Sequence, residues 1–180
     1  MKEVEVEITG TTPLLMNSPK GMIENMTKKT VNKNTNYDPQ EQAEKVSYRK
    51  KDGELYVPAE AVKGCLVGAA SYKKFGRYTA KPIISGGVMI VPNQIGLGTK
   101  DYEVDLRTVV IQRSRVVKAR PTLEKWKLKF TLMYDETLIA DGEMIKPILE
   151  EAGKRVGLLD FRPQKNGSFG MFEITQWKEK

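Results

Sequence analysis

The stretch Trp126-Lys127-Leu128-Lys129-Phe130-Thr131-Leu132-Met133-Tyr134 decides the fold class, because large apolar side chains occupy every second position in it. A β-strand turns successive side chains to opposite faces, so this spacing predicts a strand with one buried face. The chain begins with the same alternation: residues 3–8 place Val4, Val6 and Ile8 on one face and three glutamates on the other. Both segments are therefore predicted to be half-buried strands.

The segments between and after them supply two helices and two more strands. Pro58 suits the first turn of a helix, and residues 59–75 are predicted to form one whose small residues, Gly64 and Gly68 among them, allow a close approach to the sheet. The later elements are a strand opened by Gly86-Gly87, a helix capped by Asp141 and ending near Gly157, and a strand over residues 171–177. This order predicts an α+β, ferredoxin-like (RRM-like) β-α-β-β-α-β antiparallel sheet in a single domain, residues 1–180.

Two additions to this sheet are predicted. A mobile insertion follows the first strand, at about residues 20–50, where Asn, Lys and Thr are common and no apolar period is visible. Lys28 and Lys29 in it are candidate phosphate contacts, although lysines that merely solvate a loop would look the same. An extra basic β-hairpin is predicted at about residues 102–121.

Composition excludes several classes of chemistry. The 180 residues contain no histidine, which rules out Ser-His, Cys-His and His-metal mechanisms. The single cysteine, Cys65, is expected in the core. We expect no catalytic residues, no metal and no cofactor. Without a secretory signal or a long apolar run, the expected compartment is the cytoplasm, with no membrane partner.

Charge points to a polyanionic partner. The net charge is +7, and nucleic acid is the polyanion that best fits it. The densest basic stretch has no acidic residue inside it and contains Arg107, Arg113, Arg115, Lys118 and Arg120. These five residues are predicted to bind nucleic acid.

Several other basic and aromatic residues could also bind nucleic acid, but each of them can be explained by a structural role. Lys73, Lys74 and Arg77 could contact phosphate, but complementing the helix dipole is the preferred interpretation. Tyr72, Tyr78 and Phe169 could stack on bases, but we expect them in the core or at its rim.

Three segments resemble the repeat-associated mysterious protein (RAMP) superfamily, the RNA-recognition-like subunits that form the backbones of CRISPR effector complexes. They are Ile8-Thr9-Gly10-Thr11-Thr12-Pro13-Leu14-Leu15, Tyr56-Val57-Pro58-Ala59-Glu60-Ala61-Val62-Lys63-Gly64, and residues 157–172, which end in Gly167-Ser168-Phe169-Gly170-Met171-Phe172. The first resembles the family's first strand and its Pro-Leu turn, the second the opening of its first helix, and the third its glycine-rich loop before the last strand.

The resemblance implies a subunit that binds RNA or a single strand and polymerises along it. By position it assigns Lys63, Arg162, Lys165 and Gly167 to the binding surface, although Gly167 in a tight turn would serve structure equally well. The chain is shorter than the family's larger members. It also lacks the histidine found in members that cleave RNA.

The resulting hypothesis is a non-catalytic subunit that binds single-stranded RNA or ssDNA through backbone contacts, as a homo-oligomer, a filament or part of a ribonucleoprotein complex. Two alternatives remain. One is a phage or mobile-element interaction protein that mimics or inhibits a backbone subunit of a defence complex. The other is a metal-dependent ribonuclease, for which Asp38, Asp105, Asp135 and Asp160 supply carboxylates and Asp38 matches the position of an aspartate that some relatives use.

Overall fold

The computed structural model describes residues 1–27 and 38–180. Its strands are β1 (Lys2–Gly10), β2 (Leu14–Leu15), β3 (Tyr56–Pro58), β4 (Lys74–Phe75), β5 (Tyr78–Thr79), β6 (Val88–Val91), β7 (Gln94–Gly96), β8 (Glu103–Ile111), β9 (Ser114–Leu123), β10 (Lys127–Tyr134) and β11 (Phe172–Glu179). Its α-helices are α1 (Lys20–Thr27), α2 (Pro39–Lys45), α3 (Ala59–Ala70), α4 (Ala80–Gly87) and α5 (Lys146–Glu151). None of these helices is long and apolar enough to cross a membrane.

The central sheet has the strand order β11-β1-β10-β6, with every neighbouring pair antiparallel. β1 and β10 pair so that Val6 lies opposite Phe130 and Ile8 opposite Leu128. These residues, with Val4, are buried on the same face, because pairing in register keeps the apolar sets of both strands together. The predicted half-buried strands are confirmed, as is an α+β fold with antiparallel sheets.

Helices α3 and α5 cover the buried face of this sheet, where they contact β6 and β11. Asp141 caps the approach to α5 by accepting a hydrogen bond from the Glu143 amide at 2.9 Å. The helix then continues as a π-helical turn, Ala152–Val156, and ends at Gly157, whose φ of +74° favours glycine. The predicted cap and end of this helix are confirmed.

The opposite face of the sheet is open and polar. Glu7 on β1 pairs with the Lys129 ammonium at 3.0 Å and lies 3.8 Å from that of Lys127. Glu5 pairs with Lys180 at 2.9 Å. Hydrogen bonds from Lys180 and Lys129 lower the pKa of Glu5 and of Glu7 respectively. This face therefore carries carboxylates that lysines of the same sheet already neutralise.

Two predicted boundaries were wrong. Helix α3 ends at Ala70 rather than Phe75, because the chain reverses at Gly76 and pairs β4 with β5. Gly76 has a φ of +60° at the first central position of the turn, as a type II′ hairpin requires. Gly86-Gly87 ends α4 instead of opening β6. The Lys63 ammonium donates hydrogen bonds to the Ile84 carbonyl, at 2.6 Å, and to the Val88 carbonyl, so it satisfies carbonyls at that helix end.

The described parts of the predicted insertion contain α1 and α2. Asp38 caps α2, since its Oδ1 accepts hydrogen bonds from the amides of Gln40 and Glu41 at 2.9 and 3.5 Å. The helix lies against β9, where the Gln42 side chain accepts a hydrogen bond from the Ala119 amide at 2.7 Å. Lys28 and Lys29 lie outside the described residues, and mobility of the insertion stays a prediction.

Candidate nucleic-acid interface

Strands β8 and β9 form one long antiparallel hairpin, residues 103–123, which we call the basic arm. Its register places Asp105 opposite Arg120 and Arg107 opposite Lys118, so these four side chains share one face of the arm. Gln112 and Arg113, with φ of 48° and 67°, form the two-residue turn at its tip, as a type I′ hairpin requires.

The base of the arm is fixed to the rest of the chain through Arg120. Its Nη1 donates a hydrogen bond to Asp160 Oδ2 at 2.6 Å, and only 5% of the residue is exposed. Arg120 is thus buried and ion-paired, whereas a phosphate contact as predicted needs an exposed guanidinium. Lys118 beside it is half-buried, and this desolvation lowers its pKa, with Asp160 acting in the opposite direction.

Arg107 makes a second link between the arm and the loop after α5. Asp105 holds its Nε at 2.8 and 3.0 Å. The guanidinium lies 4.7 Å from the ring centroid of Phe169 and 5.5 Å from that of Phe161, within cation–π range. The predicted position of Phe169 in the core or its rim is therefore correct. The Arg107 side chain is 41% exposed, and its phosphate contact stays a prediction.

The glycine-rich loop, residues 157–170, has a constrained backbone. Residues with positive φ recur along it: Gly157, Leu159, Phe161, Asn166 and Gly170. Gly167 packs so closely that a Cβ there would lie 1.7 Å from the Phe161 carbonyl oxygen. Packing within the loop therefore already explains a glycine at 167. Strained non-glycine residues such as Leu159 and Phe161 are typical of functional loops.

A cleft of about 370 Å³ opens between this loop and the start of α3. Its walls are Glu60, Ala61, Gly64 and Cys65 from α3, Gly157, Leu159, Asp160 and Arg162 from the loop, and Asn17 and Tyr48. Gly64 faces open space, since a Cβ there would meet nothing within 4 Å. This corrects the expectation that Gly64 brings α3 close to the sheet. Gly68, in contrast, is closely packed. A Cβ added there would lie 3.2 Å from the Gln164 side chain and 3.3 Å from that of Val156.

Side chains in the cleft are held by local contacts. Arg162 donates hydrogen bonds to the Leu159 carbonyl at 2.8 Å and to the Gln164 amide oxygen at 3.2 Å. Burial raises the pKa of the Cys65 thiol to about 12, so this cysteine is not a thiolate at neutral pH. Burial also raises the pKa of Tyr48. The cleft therefore offers a fixed cation, backbone groups and an open helix face, together with the carboxylates of Glu60 and of Asp160, the latter paired with Arg120.

The predicted site residues fall into three groups. Arg107, Lys118, Arg120, Arg162 and Gly167 surround the base of the arm and the glycine-rich loop. Arg113 and Arg115 are exposed at the tip, and Lys165 is exposed on the loop. Lys63 is separate, because its ammonium is bound to the carbonyls of Ile84 and Val88.

The sequence did not identify Tyr48, Glu60 or Phe161 as part of this region. Glu60 and Phe161 lie in two of the segments that resemble the RAMP superfamily, and only that resemblance could have pointed to them. Of the four aspartates considered for metal binding, Asp38 caps a helix, Asp105 and Asp160 bind arginines, and Asp135 accepts hydrogen bonds from Thr137. Residues 1–27 and 38–180 contain no group of three or more carboxylate, Cys or His side chains that could hold a metal ion.

No protein-family model and no curated protein sequence matches the chain. Among solved structures, a chain of "Cryo-EM structure of the Type III-B Cmr-beta bound to cognate target RNA" is similar, with a TM-score of 0.65 and 18% identity. The match covers 99% of this chain and 60% of that chain. A chain of "CRISPR RNA-guided surveillance complex" gives a TM-score of 0.41 and 11% identity over 96% of this chain and 66% of that chain, too low to indicate a shared fold.

The fold is therefore like that of a CRISPR type III-B Cmr-beta chain, of which the present chain spans 60% of the length.

Proposed function

We propose that this chain is a non-catalytic RNA-binding subunit of a CRISPR-effector-type ribonucleoprotein complex, belonging to the RAMP superfamily. It holds single-stranded RNA, or ssDNA, through contacts to the sugar-phosphate backbone and assembles in multiple copies along the strand. The shared fold supports this proposal, since the similar structure is a complex bound to target RNA.

The strand order supports a ferredoxin-like topology. The four central strands follow one another along the chain as β1, β6, β10 and β11. Across the sheet they are ordered β11-β1-β10-β6, so that the fourth strand lies beside the first, the first beside the third, and the third beside the second. Because all neighbours are antiparallel, β1 and β6 run parallel with β10 between them, and β10 and β11 run parallel with β1 between them. With α3 and α5 as the crossovers, this arrangement corresponds to two interleaved split β-α-β units.

The observation that carries the proposal is the tip of the basic arm. Arg113 and Arg115 are exposed there, and neither has an ion-pair partner in the described part of the chain. An exposed, unpaired guanidinium offers planar donors that match a phosphate. The arm is anchored at its base by Arg120 and Asp160, and the tip arginines extend from this base into solvent.

The polar face of the sheet is a poor alternative path for the strand. Glu5 and Glu7 lie on it and form ion pairs with Lys180 and Lys129, so these lysines already have partners and offer less positive charge to a phosphate. The glycine-rich loop and the open face of α3 at Gly64 instead leave room for a sugar-phosphate backbone next to Arg162. We therefore propose that the strand runs from the arm to the cleft.

The test is a double substitution, Arg113→Ala with Arg115→Ala, in titrations against labelled single-stranded RNA, single-stranded DNA and duplex at several salt concentrations. Loss of two phosphate contacts should weaken binding alike for all sequences and lower the slope of log affinity against log salt by up to about two units.

A matched control removes two exposed lysines elsewhere, Lys154→Ala with Lys178→Ala, and should leave the slope nearly unchanged. An unchanged slope in the arginine variant would remove the arm tip from the binding site. Size analysis of the same mixtures should show complexes in ladder-like multiples. Cleavage products would instead favour a ribonuclease, and failure to bind any strand at low salt would favour a protein-interaction role.

A further inference from the structure

The short hairpin after α3, residues 71–79, carries two exposed tyrosines, and we call it the tyrosine hairpin. It lies at the C-terminal end of α3, whereas the cleft lies at the N-terminal end. The cleft is lined by residues of α3 as far as Cys65, and the helix ends at Ala70, so about 8 Å of helix separates the two regions. The tyrosine hairpin is thus distinct from the interface described above.

The two tyrosine rings are open to solvent, contrary to the expectation from sequence. Tyr72 is 66% exposed and Tyr78 is 74% exposed. Phe75, directly opposite Tyr78 in the hairpin, is half-buried and packs against the core. The hairpin is therefore anchored by its phenylalanine and leaves its tyrosines without a packing role. Exposed aromatic rings on a fixed support are the platforms on which single-stranded bases stack.

Unpaired positive charge surrounds these rings. Lys73, Lys74, Arg77 and Lys81 have no ion-pair partner among the residues that the structure describes. The sequence from residue 61 to residue 100 contains no Asp or Glu at all. Complementing the dipole of α3 does not explain this charge, because that helix ends at Ala70 with no basic residue in its last turn.

The start of α4 adds to the same surface. This eight-residue helix follows directly after Thr79, which makes no side-chain hydrogen bond to cap it. Its first turn contains no acidic residue and includes the exposed Lys81. The Ala80 amide already donates a hydrogen bond to the Lys73 carbonyl at 2.9 Å, so the helix contributes through its dipole, whose positive end acts in the same direction as the neighbouring lysines.

We propose that the tyrosine hairpin is a second contact site for single-stranded nucleic acid, in which bases stack on Tyr72 and Tyr78 while Lys74, Arg77 and Lys81 contact the flanking phosphates. This site rests on the proposed strand-binding function and extends it, because it adds base stacking to an interface that otherwise contacts only the backbone. A strand long enough to pass both ends of α3 engages both sites.

The experiment compares RNA oligonucleotides of about 5 and about 25 nucleotides, near the lower end of known site sizes and well above it. The wild-type chain, Tyr72→Ala with Tyr78→Ala, and Tyr72→Phe with Tyr78→Phe are titrated with both. The alanine pair should weaken binding of the long oligonucleotide at least about thirtyfold and weaken the short one less, because a short strand can still bind at the arm alone. The phenylalanine pair keeps the rings and should bind both like the wild type.

Each outcome separates this site from the arm. Equal affinity of the alanine pair and the wild type for the long oligonucleotide would overturn the proposal and leave a protein-docking role for the hairpin. A phenylalanine pair as weak as the alanine pair would also overturn stacking. If Arg113→Ala with Arg115→Ala has no effect while the tyrosine variant does, the arm proposal fails and this one stands. A chain that binds neither oligonucleotide overturns both.

Discussion

Two glycines in the candidate interface show how the same residue type serves opposite purposes. Gly167 lies so close to the Phe161 carbonyl that no side chain fits. Gly64 lies in the middle of α3 with nothing near it. A glycine inside a helix costs stability relative to alanine, so the fold itself gives no reason for Gly64. The open surface it leaves in the cleft is consistent with a strand that passes close to the helix.

The two positions predict opposite effects of alanine. Gly167→Ala should lower the free energy of unfolding by about 1–3 kcal/mol, because the clash is with backbone that cannot rotate away. Gly64→Ala should raise it by up to about 1 kcal/mol through helix propensity. Urea denaturation of the two variants and the wild type measures both. Equal stability of the two variants would contradict this account of the loop.

At the scale of elements, several contacts hold the base of the basic arm, and one of them is the ion pair between Arg120 and the glycine-rich loop. Two-stranded hairpins are marginally stable alone, so the arm needs contacts at its base, where β9 also pairs with β2. Arg120 supplies them through Asp160, and α2 adds the hydrogen bond from Ala119 to Gln42. The partner residue Asp160 is partly exposed, which moderates the energy of the pair.

Removing Asp160 tests this anchor. Asp160→Ala leaves the Arg120 guanidinium buried without its counter-charge and should lower the free energy of unfolding by about 1–3 kcal/mol, less than for a fully buried pair. Glu41→Ala, which breaks an exposed pair with Lys45, is the control and should cost less than about 1 kcal/mol. If chemical denaturation shows the same small loss for both variants, the pair does not anchor the arm.

For the whole molecule, the distribution of charge separates two surfaces. The open face of the central sheet balances lysines against Glu5 and Glu7. The arm tip and the tyrosine hairpin carry cations with no ion-pair partner in the described ranges 1–27 and 38–180. A polyanion should therefore bind along the edge formed by the arm, the cleft and α3 rather than across the sheet.

Lysines on the sheet provide the corresponding test. Lys127→Ala with Lys129→Ala removes two positive charges that already pair with Glu7. The double substitution should change RNA affinity by less than about twofold at physiological salt, because exposed charges are then screened beyond about 8 Å. Filter-binding titrations of RNA with the lysine variant, the arm variant and the wild-type chain compare the losses of affinity. A loss as large as that of Arg113→Ala with Arg115→Ala would place the strand on the sheet.

Local patterns in the sequence predicted much of the framework. The alternation in residues 3–8 and 126–134 identified β1 and β10 and their buried faces, because the period of a strand is visible in residues that are adjacent in the sequence. Asp141 and Gly157 marked the limits of the second long helix for the same reason. The run of positive charges between Arg107 and Arg120 also indicated the basic segment that forms the arm.

Tertiary structure alone decided which of these charged and aromatic residues remain free. Arg120 and Asp160 are 40 residues apart in sequence, and Lys63 is 21 residues from the carbonyl of Ile84 that it contacts, so no local pattern records either partnership. Tyr72 and Tyr78 are exposed because the chain reverses at Gly76 and Phe75 takes the place against the core. Composition and periodicity thus determined an α+β chain with a basic segment. Long-range packing determined where the proposed binding surface lies, because a charge or ring can bind a ligand only if the fold leaves it without a partner.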